Sequence, residues 1–196
     1  YWTATNIYVT PTTLSGITMN FLMSLSGGLL AGYWVSKGDP FWTYSGGLAG
    51  IITASAGNDL YHPLQAMMIA AVGTYIAYKM HYWVERRFKI DDAVGAVAVH
   101  GYAAVVGLVI CGFVLWGYPS SGYDGLGYAA INPIGMIIGA IIMFGVLGFV
   151  PGWILAKILH GAGKLRIPRE VELAGLDYNI MEAANKDEKA VASASR

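Results

Sequence analysis

The stretch DAVGAVAVHGYAAVVGLVICGFVLWG (92–117) decides the class of this protein. Its 26 residues include one acidic and one basic side chain, Asp92 at the start and His100 further in. Because about 20 apolar residues in a helix span the hydrocarbon core of a bilayer, this stretch is long enough to cross a membrane. The question is why such a helix carries an imidazole.

Four more apolar stretches accompany this one, and together they predict an all-α membrane protein with about five transmembrane helices. They cover residues 14–36, 42–57, 62–84 and 127–156. Only 12% of the residues are charged, which is about half the share found in soluble domains. The net charge of zero gives no reason to expect a nucleic-acid partner. We therefore expect a transmembrane domain over residues 1–160, embedded in the lipid bilayer, and a polar tail over 161–196.

The basic residues predict the orientation of these helices. If five helices alternate across the membrane, all twelve basic residues lie on one side: Lys37, Lys79, Arg86, Arg87, Lys89, Lys157, Lys164, Arg166, Arg169, Lys186, Lys189 and Arg196. Under the positive-inside rule, the N-terminus is then outside and the C-terminus cytoplasmic, in a plasma or inner membrane. The stretch 42–57 is short and also fits a re-entrant segment, but without it the basic residues would divide between both faces.

His100 is the histidine that the pattern places inside a helix, whereas His62, His81 and His160 are expected to reach water near helix ends. Counting from Asp92, His100 lies about 12 Å into the span, a depth at which ionisable groups are costly and mark a pathway or relay. A neutral imidazole both donates and accepts hydrogen bonds. Two interpretations stay open: His100 contacts a solute passing along a tunnel, or it bonds a polar group of another helix.

Several other residues have predicted structural roles. Asp91 and Asp92 are expected to cap the helix that follows them, and Cys111, the single cysteine, to pack as a small residue. Glycines within the apolar stretches predict close contacts between helices. The examples are SGGLAG (45–50), the pair Gly135 and Gly139, and the pair Gly145 and Gly148.

Three motifs occur in a fixed order along the chain. The run SKGDPFWTYSGGLAGIITASAG (36–57) joins a polar connection to a span rich in small residues. The run FKIDDAVGAVAVHG (88–101) leads into the helix of His100, and KLRIPREVELAGLDYNIMEA (164–183) contains an R-x-P and an E-x-x-GLD segment. In sequence, order and spacing, these motifs resemble the ammonium transporter (Amt/Rh) family, over residues 12–183.

The resemblance implies a fold and a set of pore residues. It implies that the chain is the second inverted repeat of an eleven-helix transporter, which assembles as a homotrimer with one narrow hydrophobic pore per subunit. His100 is then the pore histidine of the second half, Asp92 the acid at the start of its helix, and Ala96 and Ser55 positions of the pore wall. The N-terminal half of the transporter, which carries the other pore histidine, is a required partner.

The predicted function is transport of ammonium, as ammonia with a separately relayed proton, by a protein that is not an enzyme and needs no cofactor or metal. Two residues depart from the family pattern: Gly95 stands in the place of an acidic residue, and Tyr102 follows the histidine closely. Tyr102 either narrows the passage or faces a neighbouring helix. These departures leave open a non-conducting structural subunit of a membrane complex. A haem protein is a further alternative, although only His81 and His160 approach the matched depth that two axial ligands need.

The tail motif implies regulation. In the family that it resembles, this segment reaches a neighbouring subunit, couples the pores and forms a face where PII-type nitrogen-regulatory proteins dock. The alternative is a solvated membrane anchor with no regulatory role.

Overall fold

The computed structural model describes residues 13–118 and 130–175, and most of these residues are helical. The helices are α1 (Leu14–Ser36), α2 (Pro40–Ala54) followed by a 3-10 turn (Ser55–Gly57), α3 (Pro63–Phe88), α4 (Ala98–Val114), α5 (Pro133–Gly161) and α6 (Arg169–Ala174). No extended strand occurs in the two described ranges, and the prediction of an all-α protein is confirmed. Part of the predicted stretch 127–156 and the end of the tail motif lie outside the described residues.

Within residues 13–118 and 130–175, two helices are long and apolar enough to cross a membrane. They are α1, with 23 residues and a mean hydropathy of 1.3, and α5, with 29 residues and a mean hydropathy of 2.4. The bounds of α1 are those predicted from the sequence, and α4 is a shorter apolar helix. α3 runs four residues beyond its predicted end at residue 84, to Phe88, and Lys89 ends it in the left-handed conformation.

The prediction that a helix begins at Asp92 is wrong, because the backbone turns before it coils. Gly95 has a φ of +66°, a conformation that favours glycine, and its N–H donates to the carbonyl oxygen of Asp92 at 2.8 Å. The first helical residue is Ala96, two residues before the start given above for α4. His100 therefore lies about 6 Å along the helix axis from the first helical residue, and its depth in the bilayer stays a prediction.

Glycines bring α1 and α2 into backbone contact. A Cβ on Gly28 would collide with the carbonyl oxygen of Gly46, and a Cβ on Gly50 would lie 2.7 Å from the Cα of Gly28. Gly32 packs in the same way against α2 near Gly46. Small residues spaced by four let helix backbones approach closely, and the close contact predicted for SGGLAG (45–50) is confirmed.

The glycine contacts predicted for the last helix differ from this pattern. Apart from adjacent residues and the backbone of the same helix, no described atom lies within 4 Å of a Cβ placed on Gly139 or Gly145, and a Cβ on Gly135 would only approach the side chain of Asn132, which caps the same helix. The backbone of these glycines is therefore not packed against another described helix.

Both α3 and α4 pack closely against Thr53 of α2. A Cβ on Gly73 of α3 would collide with the Thr53 side chain, and a Cβ on Gly107 of α4 with the Thr53 backbone. The Thr74 hydroxyl on α3 donates to the carbonyl oxygen of Gly46 at 3.0 Å. Cys111, further along α4, is fully buried beside Ala56, as predicted for a small packing residue.

Asn20 anchors α1 to the segment that joins α2 and α3. Its Nδ2 donates to the carbonyl oxygens of Asn58 and Tyr61, at 2.8 and 2.7 Å. The residue is 4% exposed, so water does not replace these bonds. Ser24, one turn later, donates its hydroxyl to the Asn20 carbonyl oxygen at 2.7 Å.

An Asn20→Ala variant is expected to lose about 2–3 kcal/mol of stability, because two buried carbonyl groups lose their donor. Ser26→Ala is the matched control, since the Ser26 hydroxyl is exposed and bonds only within its own helix; its effect should stay within about 0.5 kcal/mol. Thermal unfolding of the complete protein in detergent measures both. Equal melting temperatures for the two variants would contradict the role given to Asn20.

The chain divides into two compact units, Tyr1–Gly145 and Val146–Arg196. In the second unit, Lys157 Nζ lies 5.4 Å from the centre of the Trp153 ring, and an exposed ion pair joins Arg166 to Glu172 at 3.2 Å. This division does not test the domain boundary predicted at residue 160, because that boundary marks where the chain leaves the bilayer. It stays a prediction.

Candidate functional site

The start of α4 is held by Asp92. Its two carboxylate oxygens accept hydrogen bonds from the backbone N–H groups of Val97 at 3.2 Å and Ala98 at 2.9 Å. These donors have no partner within the helix, and a carboxylate at this end also complements the helix dipole. The capping predicted for Asp92 is therefore present. The side chain of Asp91 is exposed and accepts no hydrogen bond from a described residue, so it does not cap this helix.

Asp92→Ala is expected to destabilise the protein by about 1–2 kcal/mol, the usual cost of losing a side-chain cap. Asp91→Ala removes the neighbouring carboxylate without removing a cap, so it should change stability by less than about 0.5 kcal/mol. The comparison uses chemical or thermal unfolding in detergent. If both variants unfold like the wild type, Asp92 does not hold the start of the helix.

His81 on α3 faces the same carboxylate, and the sequence reasoning missed it. Its side chain is 10% exposed and Nδ1 lies 3.6 Å from Asp92 Oδ2, so the ring keeps a small contact with water but is mostly enclosed by protein. Its ring meets the rings of Trp42 and Tyr82 edge-on, with centres 5.0 and 4.9 Å apart. Helical spacing predicts that Tyr78 lies on the same face of α3 as His81. The sequence around His81 does not indicate that Asp92, which lies outside α3, is its partner.

His100 lies in a π-helical turn, Ala98–Tyr102, at the start of α4. The turn closes with a bond from the N–H of Ala103 to the carbonyl oxygen of Ala98. Single π-turns inside α-helices often occur at functional sites, but α5 contains a second π-helical segment, Ile141–Phe149, so the turn alone does not mark such a site. The His100 side chain is exposed, and no described group forms a hydrogen bond with its ring. No described residue supplies the hydrogen bond that the second interpretation requires, and both interpretations stay predictions.

Ala96 lies on the same side of the helix as His100. The two residues are four apart, so they are neighbours on the surface, and both are exposed. The opposite side is packed, because Val99 and Ala103 are buried against Ala49 of α2. The exposed imidazole and the small residue beside it form one continuous face.

Tyr102 and Ser55 are not immediate neighbours of His100. Tyr102 is half-buried and two residues after His100, and residues with that spacing point to different sides of a helix; this geometry favours contact with a neighbouring helix. Ser55 is exposed and donates its hydroxyl to the Ile51 carbonyl oxygen at 2.7 Å. The residue after it packs on Cys111, roughly 16 Å along α4 from His100. The structure does not bring Ser55 and His100 together.

No group of three or more metal-binding side chains comes together within the part of the chain that the structure describes. The start of α4 brings together the carboxylate of Asp92 and the imidazole of His81, beside the aromatic rings of Trp42 and Tyr82. Such groups recognise small molecules by hydrogen bonds and by contacts between a cation and a ring. The arrangement is suited to binding and orienting a solute.

Comparison with known proteins identifies similar sequences. The model of the family described as the Ammonium Transporter Family matches residues 2–186. The chain is 30% identical to ammonium transporter Amt1 of Methanocaldococcus jannaschii over 179 residues, which are 90% of this chain and 43% of that protein. It is 34% identical to Amt2 of the same organism over 159 residues, 79% of this chain and 35% of that protein.

A plant protein shows the same relation. Ammonium transporter 1 member 3 of Solanum lycopersicum is 26% identical over 192 residues, which are 91% of this chain and 40% of that protein. The chain therefore spans less than half the length of these curated relatives.

Proposed function

The chain belongs to the ammonium transporter family, and from that membership we propose that it supplies half of a pore through which ammonium or ammonia crosses the membrane. The observation that carries the proposal is the family match over residues 2–186. The family is one of membrane transporters and not of enzymes. The finer assignments below concern this chain and are part of the proposal.

His100 is the central residue of the proposed pore. An intact cation loses its hydration in a narrow apolar passage, which is costly, whereas neutral ammonia crosses at a far smaller cost. Deprotonation at the entrance therefore favours passage. A neutral imidazole accepts from and donates to the solute, and imidazoles also relay protons. The ring of His100 is exposed, lies beside the small side chain of Ala96 and forms no hydrogen bond with a residue that the structure describes, which supports this role.

The remaining wall of the proposed pore comes from the N-terminal half of the transporter. Half of a pore exposes the residues that line it, and the exposure of His100, Ala96 and Ser55 agrees with that expectation. Asp92 holds the start of the pore helix, and Tyr102 packs it against a neighbour. The complete transporter has inverted repeats and assembles as a homotrimer, with this chain contributing about five spans over residues 1–160.

The tail, residues 161–196, is proposed to be cytoplasmic and regulatory. The distribution of basic residues supports this side, with the N-terminus outside. The tail motif is proposed to couple neighbouring pores and to present a face to a PII-type regulatory protein. Deletion of residues 164–196 should therefore abolish cooperativity of uptake, and unchanged cooperativity would contradict this part of the proposal.

The test of the function is uptake by the complete polypeptide that contains this chain. Cells lacking their own ammonium transporters should deplete ammonium from the medium once they express it, with cells carrying an empty vector as the control. A non-conducting structural subunit, the alternative that the departures at Gly95 and Tyr102 leave open, predicts no depletion beyond the control. Detection of the protein in the membrane fraction makes that result decisive.

A further inference from the structure

A pocket of about 420 Å³ lies where α2 and α4 begin and α3 ends, and its charge is strongly negative. Four carboxylates line it: Asp39, Glu85, Asp91 and Asp92. No lysine or arginine is among its lining residues. Coulomb attraction in such a cleft concentrates cations.

The carboxylates fall into two pairs. Asp39 and Asp92 are engaged with helix starts, where Asp39 Oδ2 accepts from the N–H of Trp42 at 3.0 Å and Asp92 caps α4. The side-chain carboxylates of Glu85 and Asp91 form neither an ion pair nor a hydrogen bond with any residue in the described ranges. Two exposed carboxylates that line the pocket are therefore not paired with a described cation.

His81 provides an independent sign that the pocket takes a ligand. Its side chain lines the pocket and is nine-tenths buried, yet Nδ1 has no hydrogen-bond partner among the described residues. Nδ1 faces Asp92 Oδ2 at 3.6 Å, which is beyond hydrogen-bond reach. A buried polar atom without a partner is costly, and a small molecule with several N–H donors satisfies this nitrogen and the carboxylates together after a slight rotation of the ring.

The other walls are aromatic, which favours an organic cation over a metal ion. The rings of Trp42 and Tyr82 line the pocket, and Trp42 Nε1 donates to Tyr82 Oη at 2.8 Å, which fixes both rings. Ammonium groups are attracted to the faces of such rings. The lining residues include no set of three that would hold a metal ion.

We propose that this acidic aromatic pocket binds a small monovalent ammonium-type cation, separately from the face of His100. The inference rests on the proposed function for its choice of ammonium among monovalent cations. The pocket holds the cation at the start of the pore helix, so it acts as a binding site at one mouth and has no part in the passage beside His100.

Binding is tested by thermal unfolding of the complete protein in detergent, with rising methylammonium chloride at constant ionic strength. The His100→Ala background keeps any effect of the pore histidine out of the measurement. The melting temperature should rise with the methylammonium concentration and then level off as the pocket saturates. Sodium chloride should not reproduce this rise. Combining Glu85→Gln with Asp91→Asn should raise the half-saturating concentration at least tenfold, whereas Glu170→Gln, an exposed carboxylate in α6, should leave it unchanged.

Two results overturn the inference: an unchanged half-saturating concentration in the double variant, or an equal rise with sodium. If the double variant does not fold, Asp91→Asn alone is used, because its exposed side chain has no described partner, and it should weaken binding at least threefold. Binding equal to the wild type in that variant overturns the inference as well. Since no transport is measured, failure here is distinct from failure of the proposed function.

Discussion

Gly107→Ala is expected to destabilise the protein by about 3 kcal/mol or more, the upper range for overpacking a rigid core. A Cβ at this position would collide with the backbone of Thr53, including its carbonyl oxygen and Cα. Backbone atoms do not move aside as a flexible side chain does, so α4 must separate from α2. Because Thr53 also packs against Gly73 of α3, the disturbance reaches three helices.

Gly101→Ala is the matched control in the same helix. A Cβ at Gly101 would meet only Cγ1 of Val97, at 3.5 Å, which is an ordinary contact, so stability should stay within about 1 kcal/mol of the wild type. The measurement is the melting temperature of the complete protein in detergent, expected to fall by roughly 6–12 °C for Gly107→Ala alone. An equal, small change of melting temperature in both variants would show that the close approach of Gly107 to Thr53 does not contribute to stability.

The sequence predicts those features that depend on local pattern. Helices appear where apolar stretches are long enough, small residues such as Gly46 and Gly50 mark a helix contact, and an aspartate before an apolar run caps a helix. Each follows from the chemistry of a few neighbouring residues.

Features that depend on tertiary contacts are beyond this reasoning. The pairing of His81 with Asp92 joins α3 to a turn before α4, and nothing near either residue in the sequence indicates the other. The delayed start of α4 results from the left-handed conformation of Gly95, and the sequence pattern does not distinguish Gly95 from Gly101 or Gly107 in this respect. The face of His100 is likewise defined by which side of α4 packs on α2.

His100→Ala is expected to reduce ammonium uptake by about ten- to a hundredfold. The imidazole provides a hydrogen bond to a solute that has few other polar partners, and leaving a desolvated polar group without its partner costs about 1–3 kcal/mol, which raises the barrier by that amount. Stability should change little, because the ring is exposed and no described group bonds to it. His160→Ala replaces another exposed histidine and should leave uptake unchanged.

The most direct test of this account is the initial rate of ammonium uptake by the complete protein carrying His100→Ala, measured beside the wild type and His160→Ala at equal amounts in the membrane. The account predicts a large loss of rate for His100→Ala alone. An uptake rate and selectivity equal to those of the wild type would contradict the claim that this imidazole lines the path of the solute.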